Sequence, residues 1–264
     1  MKLITGIEEI HDYLLNLAKV FHHICTNNNI GYYMAYGTML GAIRHKGFIP
    51  WDDDMDFYVD RKDVTELKRC LTKELPSYLR LIDYNNSREV TYDLIKIEDT
   101  RTTMIQKHKK NMSFASGVYI DVFILDHVEN DFSFFSQNWI DFYLKKIQSA
   151  RFLDSDDRPI KEKLCSYLVK FFLYPLKFET IPDYINRTSQ KQDGPFLYNH
   201  AESKMGRCFL PEVFGVPKLY DFEDTQLFGL RGYDEYLRTY YGDYMKLPPE
   251  NERETHIVNL YLKD

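Results

Sequence analysis

Four carboxylates, Asp52, Asp53, Asp54 and Asp56, fall within five residues, and apolar chain closes in on both sides. Ile49, Pro50 and Trp51 precede the run, and Met55, Phe57, Tyr58 and Val59 interleave with it or follow. Acids this close raise one another's pKa unless something neutralises them, and a divalent cation is the usual neutraliser. A solvated acidic turn would have polar flanks; this run sits at the rim of a hydrophobic strand. Asp52, Asp54 and Asp56 open like an EF-hand loop, but that loop needs Gly at its sixth position and Glu at its twelfth. Phe57 and Asp63 stand there instead. A strand over residues 54–59 fits better, because alternate positions share a face with Cα atoms about 6.5 Å apart. Asp54 and Asp56 then converge as metal ligands, Asp52 keeps the alternation as a further ligand, and Asp53 faces away. The expected cation is Mg²⁺ (or Mn²⁺), which binds a few carboxylates together with substrate phosphates.

Upstream, Gly37 and Thr38 open a short helical stretch that runs to Arg44. Glycine there lets backbone N–H groups approach a phosphate, and a helix N-terminus favours an anion. Arg44, His45 and Lys46 add cations near the same loop, suited to phosphate.

The remaining composition narrows the classes. Lys and Arg number 34 against 40 Asp and Glu, a formal charge of -6. A general nucleic-acid binder would carry a basic excess, so no nucleic-acid partner is expected. Cys25, Cys70, Cys165 and Cys208 stand singly, without the close pairs of a zinc site, and no zinc is expected. They read as reduced thiols. Hydrophobic residues make up 44% and aromatics 16%, enough for a packed core. The opening residues are interrupted by Glu8, Glu9 and Asp12 and do not read as a signal peptide. The most apolar run, residues 165–176, is too short to span a bilayer and reads as a core helix or a membrane-lying one. A cytoplasmic location follows, with peripheral contact at the inner face of a membrane as an option.

Along the chain, Ile7, Ile10, Leu14, Leu17, Ala18, Phe21 and Ile24 recur at helical spacing, with a capping-box pattern at Thr5 and Glu8 and an end at Asn27, Asn28 and Asn29. Short strands are expected at 31–36, 54–59, 79–83, 90–97 and 118–125, and a helix at 63–75. Residues 134–150 and 159–174 read as helices, 220–230 as strand-like pieces and 233–241 as a helix stopped by Gly242. Strands dominate the first half and helices the second, which predicts an α+β fold. The expected division is a catalytic core over 1–130 and a mainly helical elaboration with a closing segment over 131–264, packed on the core or continuous with it.

The segment GTMLGAIRHKGFIPWDDDMD resembles the signature of the LicD family, which includes the fukutin-like proteins and belongs to the nucleotidyltransferase fold superfamily. Gly37-Thr38, the acid–hydrophobic–acid string Asp54-Met55-Asp56, and Asp121 in YIDVFIL match the superfamily's successive motifs. Lys96 in LIKI resembles the family's lysine-bearing strand, and YGDYMKLPP at 241–249, with Arg253 and His256, resembles its closing motif. The resemblance implies a mixed sheet flanked by helices. It further implies transfer of phosphocholine, ribitol phosphate or glycerol phosphate from a CDP-activated alcohol to a glycan hydroxyl, the glycan being free or lipid-linked. Asp121 would join the metal or accept the hydroxyl's proton, with Asp93 and Asp126 as substitutes. Lys96 would neutralise donor phosphate, and Tyr241, Tyr244, Arg253 and His256 would close over the site or dock the tail. A quaternary ammonium is held by aromatic faces, and the sequence names none of them. Two other readings stay open: a nucleotidyltransferase passing NMP to a small acceptor, and a non-catalytic calcium- or glycan-binding module.

Overall fold

The computed structural model describes residues 2–4, 6–87, 90, 93–106, 117–128, 194–199, 201, 208–253, 255 and 257–263. The helices expected at 134–150 and 159–174, the apolar run at 165–176, Cys165 and His256 lie outside the described residues. In chain order the elements are β1 (Lys2–Ile4), α1 (Ile7–Asn27), β2 (Tyr32–Met34), α2 (Tyr36–Arg44), β3 (Asp56–Asp60), α3 (Val64–Glu74), β4 (Leu79–Ile82), β5 (Leu94–Asp99), β6 (Thr102–Gln106) and β7 (Tyr119–Val128). Then follow β8 (Phe196–Tyr198), α4 (Pro211–Phe214), β9 (Lys218–Phe222), β10 (Thr225–Gly229), α5 (Tyr233–Tyr241) and β11 (Ile257–Leu262). The chain is an α+β protein.

The main sheet is mixed, with strand order β2-β3-β7-β5-β4 and β8 paired to the far end of β7. Only the β3–β7 pair within it is parallel. Phe57, Val59, Val122, Ile124, Ile95 and Ile97 are buried, as alternate positions of a packed face require. One cover is α1, whose Ile10, Leu14, Leu17, Ala18, Phe21 and Ile24 form the buried stripe read from the sequence. Phe21 meets Phe57 and Tyr32 with ring centroids 5.0 and 4.9 Å apart. Each such fully buried large side chain contributes roughly 1.5–3 kcal/mol. The other face is covered by an aromatic cluster from α2, α4 and α5, with Tyr36, Phe214 and Tyr236 around Tyr58.

Three differences from the sequence reading have physical causes. Gly6 holds the N-cap of α1 in an extended conformation without a side-chain cap bond, where the capping-box pattern put Thr5; Thr5 itself lies outside the described residues. At the other end the reading holds, since the Asn28 amide donates to the Ile24 carbonyl at 2.9 Å. Second, the strand begins at Asp56, not Asp54, because the second ladder starts there: the Ala35 N–H donates to the Asp56 carbonyl at 2.9 Å, beside the bond from the Asp121 N–H to the Met55 carbonyl at 3.0 Å. Third, β1, β6 and β11 form a small antiparallel sheet that joins the two ends of the chain, Leu3 opposite Tyr261. Their pairing is non-local, so no local pattern announces it. Among the described residues no helix is long and apolar enough to cross a membrane.

The far end of β7 is fixed by buried charge. Arg61 reaches Asp126 in two hydrogen bonds of 2.6 and 2.8 Å and also bonds Asp93. Its side chain is 8% exposed, and those of Asp93 and Asp126 are 3% and 1%. Both substitutes for Asp121 are therefore committed to one guanidinium. Removing one partner of a buried pair strands the other charge, at about 3–5 kcal/mol. We expect Arg61→Leu to destabilise the fold by about that amount in urea unfolding; an unchanged midpoint would contradict this role.

Candidate active site

The site forms where α2 meets the opening of β3. The Thr38 Oγ1 accepts the Asp56 N–H at 2.8 Å, so the helix is bolted to the first residue of the acidic strand. Thr38 is buried, and its side chain serves the backbone of Asp56. Gly37 lies against the acids, because a Cβ there would stand 2.5 Å from Asp52 Oδ2. Only a residue without a side chain lets that carboxylate rest on the helix's first turn.

The alternation read from the sequence is retained across the irregular stretch. Asp52, Asp54 and Asp56 all line one cavity of about 620 Å³, while Asp53 is buried and absent from its walls. That volume is in the range of small-ligand sites. Tyr36, Gly37, Leu40 and Arg44 of α2 form one wall with Ile49 and Trp51. Tyr241, Asp243, Tyr244, Lys246, Leu247, Pro248 and Pro249 complete it, all from the segment quoted as the closing motif.

Sheet register explains the third acid. Asp56 on β3 lies opposite Asp121 on β7, and Asp121 lies opposite Lys96 on β5. Directly paired residues point to one face, so an acid, an acid and a lysine make a single row. Lys96 forms an ion pair with Asp121 and stands over the Tyr119 ring at 3.7 Å. Burial works against the Lys96 ammonium, but Asp121, then Tyr119, hold its pKa above the ordinary value. Burial pushes the Asp56 carboxyl well above the usual carboxylate range, and Asp54, Asp121 and Asp52 push it further; Lys96 opposes them. Desolvation, then Asp56, Asp52 and Asp54, likewise raise the Tyr241 phenol, although the residue keeps 42% of its surface exposed at the cavity mouth.

Arg44 faces the cavity, with Nη1 donating to the Tyr244 carbonyl at 2.8 Å and Nε to His45 Nε2 at 2.9 Å. Burial, then Arg44 itself, lowers the His45 pKa, which suits an imidazole that accepts. Arg253 stands behind the wall, not in it: its guanidinium is 4.5 Å from the Trp51 ring centre, and Nε donates to the Pro248 carbonyl at 3.3 Å. Lys46 is not brought to the cavity. It is exposed, at the left-handed φ of 61°, and its carbonyl accepts the Glu223 N–H at 2.8 Å. His256 lies outside the described residues. The sequence reading did not single out Lys246, Asp243, Trp51 or Tyr36; Lys246 was visible as a cation inside the YGDYMKLPP string. Tyr36 carries a φ of 40°, a region that costs a non-glycine residue about 1–3 kcal/mol.

Among the described residues no three acid, histidine or cysteine side chains form a ready-made metal cage. The acids nonetheless fit a divalent cation, since three carboxylates share one cavity and oppose ionisation of Asp56. Remaining ligands would come from water and phosphate oxygens, as is usual for Mg²⁺.

The helix opened by Gly-Thr, the acid–hydrophobic–acid segment and the third acid in register on the neighbouring strand are brought together in the order of the motifs that carry the resemblance to the nucleotidyltransferase superfamily. Residues 29–156 match the LicD/FKTN/FKRP nucleotidyltransferase domain, so the chain carries a LicD-family domain. The chain is also 29% identical, over 92% of its length and 93% of the relative's, to the lipopolysaccharide cholinephosphotransferase LicD of Haemophilus influenzae. An uncharacterized protein of Rickettsia prowazekii is 33% identical over 43% of this chain and 42% of its own length.

Two outcomes test this geometry. Thr38→Val orphans the Asp56 N–H and should cost about 1–3 kcal/mol in chemical unfolding, while Thr38→Ser retains the acceptor and stability. Because the folded state raises the Asp56 pKa, its ionised form weighs against folding at neutral pH. Asp56→Asn should therefore raise Tm in EDTA, by about 2 °C or more for each kcal/mol relieved; a lower Tm would refute the repulsion.

Proposed function

We propose that this chain is a metal-dependent phosphotransferase that moves phosphocholine from CDP-choline to a hydroxyl of a cell-surface glycan or its precursor, lipid-linked or free, releasing CMP. The observation that carries the reading is one cavity in which Asp52, Asp54 and Asp56 meet Arg44 and Lys246. Acids for a cation and fixed cations for phosphate are what a diphosphate donor requires. Similarity to a cholinephosphotransferase over 92% of the chain supports the same class. Tyr36, Trp51 and Tyr241 line the same space, and aromatic faces suit a quaternary ammonium better than the polyol of ribitol or glycerol phosphate.

The acceptor oxygen attacks the phosphorus that bears choline, the bond to the CMP oxygen breaks, and the hydroxyl proton passes to a carboxylate. Asp54 and Asp56 would hold Mg²⁺ or Mn²⁺, with Asp52 as a further ligand; such a cation draws electrons from phosphorus and offsets charge on departing CMP. Arg44 and Lys246 bind the donor phosphates. The Tyr241 hydroxyl, which the acids keep neutral, is a donor available to the bound substrate. Lys96 holds Asp121 through Oδ1, leaving the other oxygen to join the cation or take the proton.

Incubation with Mn²⁺ and CDP-choline, CDP-glycerol or CDP-ribitol plus acceptor glycan should release CMP, with CDP-choline preferred. Pyrophosphate from CTP with no CMP from any CDP-alcohol would turn the reading to nucleotidyl transfer. Thermal stabilisation by Ca²⁺ alone would turn it to a binding module. Asp54→Ala and Asp56→Ala should each lower CMP release by at least about 10³-fold with the far-UV spectrum unchanged; retained turnover in both would remove the metal assignment.

A further inference from the structure

Helix α2 starts without a cap of its own. Its N-cap residue is Ala35, which has no side-chain acceptor, and no side-chain cap bond is made there. The first N–H groups of a helix have no partner within it. The Tyr36 N–H nevertheless has one: it donates to the Tyr236 hydroxyl at 3.0 Å, across 200 residues of chain. That hydroxyl then donates to the Tyr58 hydroxyl at 3.2 Å, and both tyrosines are buried. At its other end, the Tyr36 phenol accepts from the amide of buried Asn199 at 3.0 Å. Tyr36 is thus gripped at backbone and side chain in the left-handed conformation, immediately before Gly37. A residue in this region persists only where its surroundings over-determine it.

We propose that Tyr236 is a positioning residue: its hydroxyl caps α2 from another helix and, by fixing Tyr36, sets Gly37 and Thr38 against the acids. The inference rests on the reading of the adjacent cavity as the donor site. It also ties two walls together, because Tyr241, which lines that cavity, stands on the same helix as Tyr236. Through Thr38 Oγ1 the placement passes to the Asp56 backbone. Tyr236 touches no substrate in this account; it acts through Tyr36.

The test compares Tyr236→Phe with Tyr58→Phe. Both swaps conserve volume and remove one hydroxyl of the same buried pair, so core packing survives in each. Only the first removes the acceptor of the Tyr36 N–H. Hydrogen exchange at the amides of residues 36–38 should speed up about tenfold in Tyr236→Phe and stay near wild type in Tyr58→Phe. The KM for CDP-choline should rise about tenfold in Tyr236→Phe with kcat changed far less, and neither should move in Tyr58→Phe. Unchanged exchange in Tyr236→Phe, or equal effects from the two variants, would overturn the inference. If wild-type protein releases no CMP from CDP-choline, the functional reading fails, and exchange at 36–38 alone decides the role of Tyr236.

Discussion

Three carboxylates and a tyrosine hydroxyl share one cavity, and what makes that tolerable is the bonding of the strand that carries them. Asp56 is bound through its backbone at both groups: the Ala35 N–H donates to its carbonyl at 2.9 Å, and its own N–H goes to Thr38 Oγ1. Held this way, the backbone keeps the Asp56 side chain on the cavity it shares with Asp52 and Asp54. Lys96, at the end of the register row, is bonded to Asp121 and only partly offsets the acids that raise the Asp56 pKa. That remaining repulsion is the ground for the cation proposed at this site.

Charge is placed differently at the two ends of β7. At the Asp121 end Asp56 and Asp121 outnumber the lysine, and Asp56 faces the cavity while Asp121 stands behind it on the neighbouring strand. At the Asp126 end Arg61 makes close, nearly dry pairs with two acids. A matched buried pair suits a joint, and an unmatched half-buried row suits a ligand. Strand β7 carries both along one ten-residue element.

Much of the site was legible in the chain. The spacing of Asp52, Asp54 and Asp56 placed three side chains on one side of an extended segment, and all three line the cavity. Gly37 was singled out as making room for a phosphate, and in the structure the Asp52 carboxylate takes that room. Other features were not legible. Nothing local marks Tyr36 as left-handed, since its conformation depends on Tyr236 and Asn199. Lys46 and Lys246 are each one basic residue near apolar neighbours, and only the folded chain sends one outward and the other into the cavity.

The sequence by itself determined the chemistry that this protein can host. Acids at alternate positions, a glycine-opened helix and a buried apolar stripe on α1 follow from side-chain size, charge and the periods of strand and helix. The resemblance named Asp121 as the third acid, but no local pattern could, because register between β3, β7 and β5 joins distant segments, Asp56 and Asp121 lying 65 residues apart. Tertiary structure alone decided that Arg61 takes Asp93 and Asp126 out of contention. Side-chain type is written along the chain, whereas opposition across strands depends on where distant segments meet.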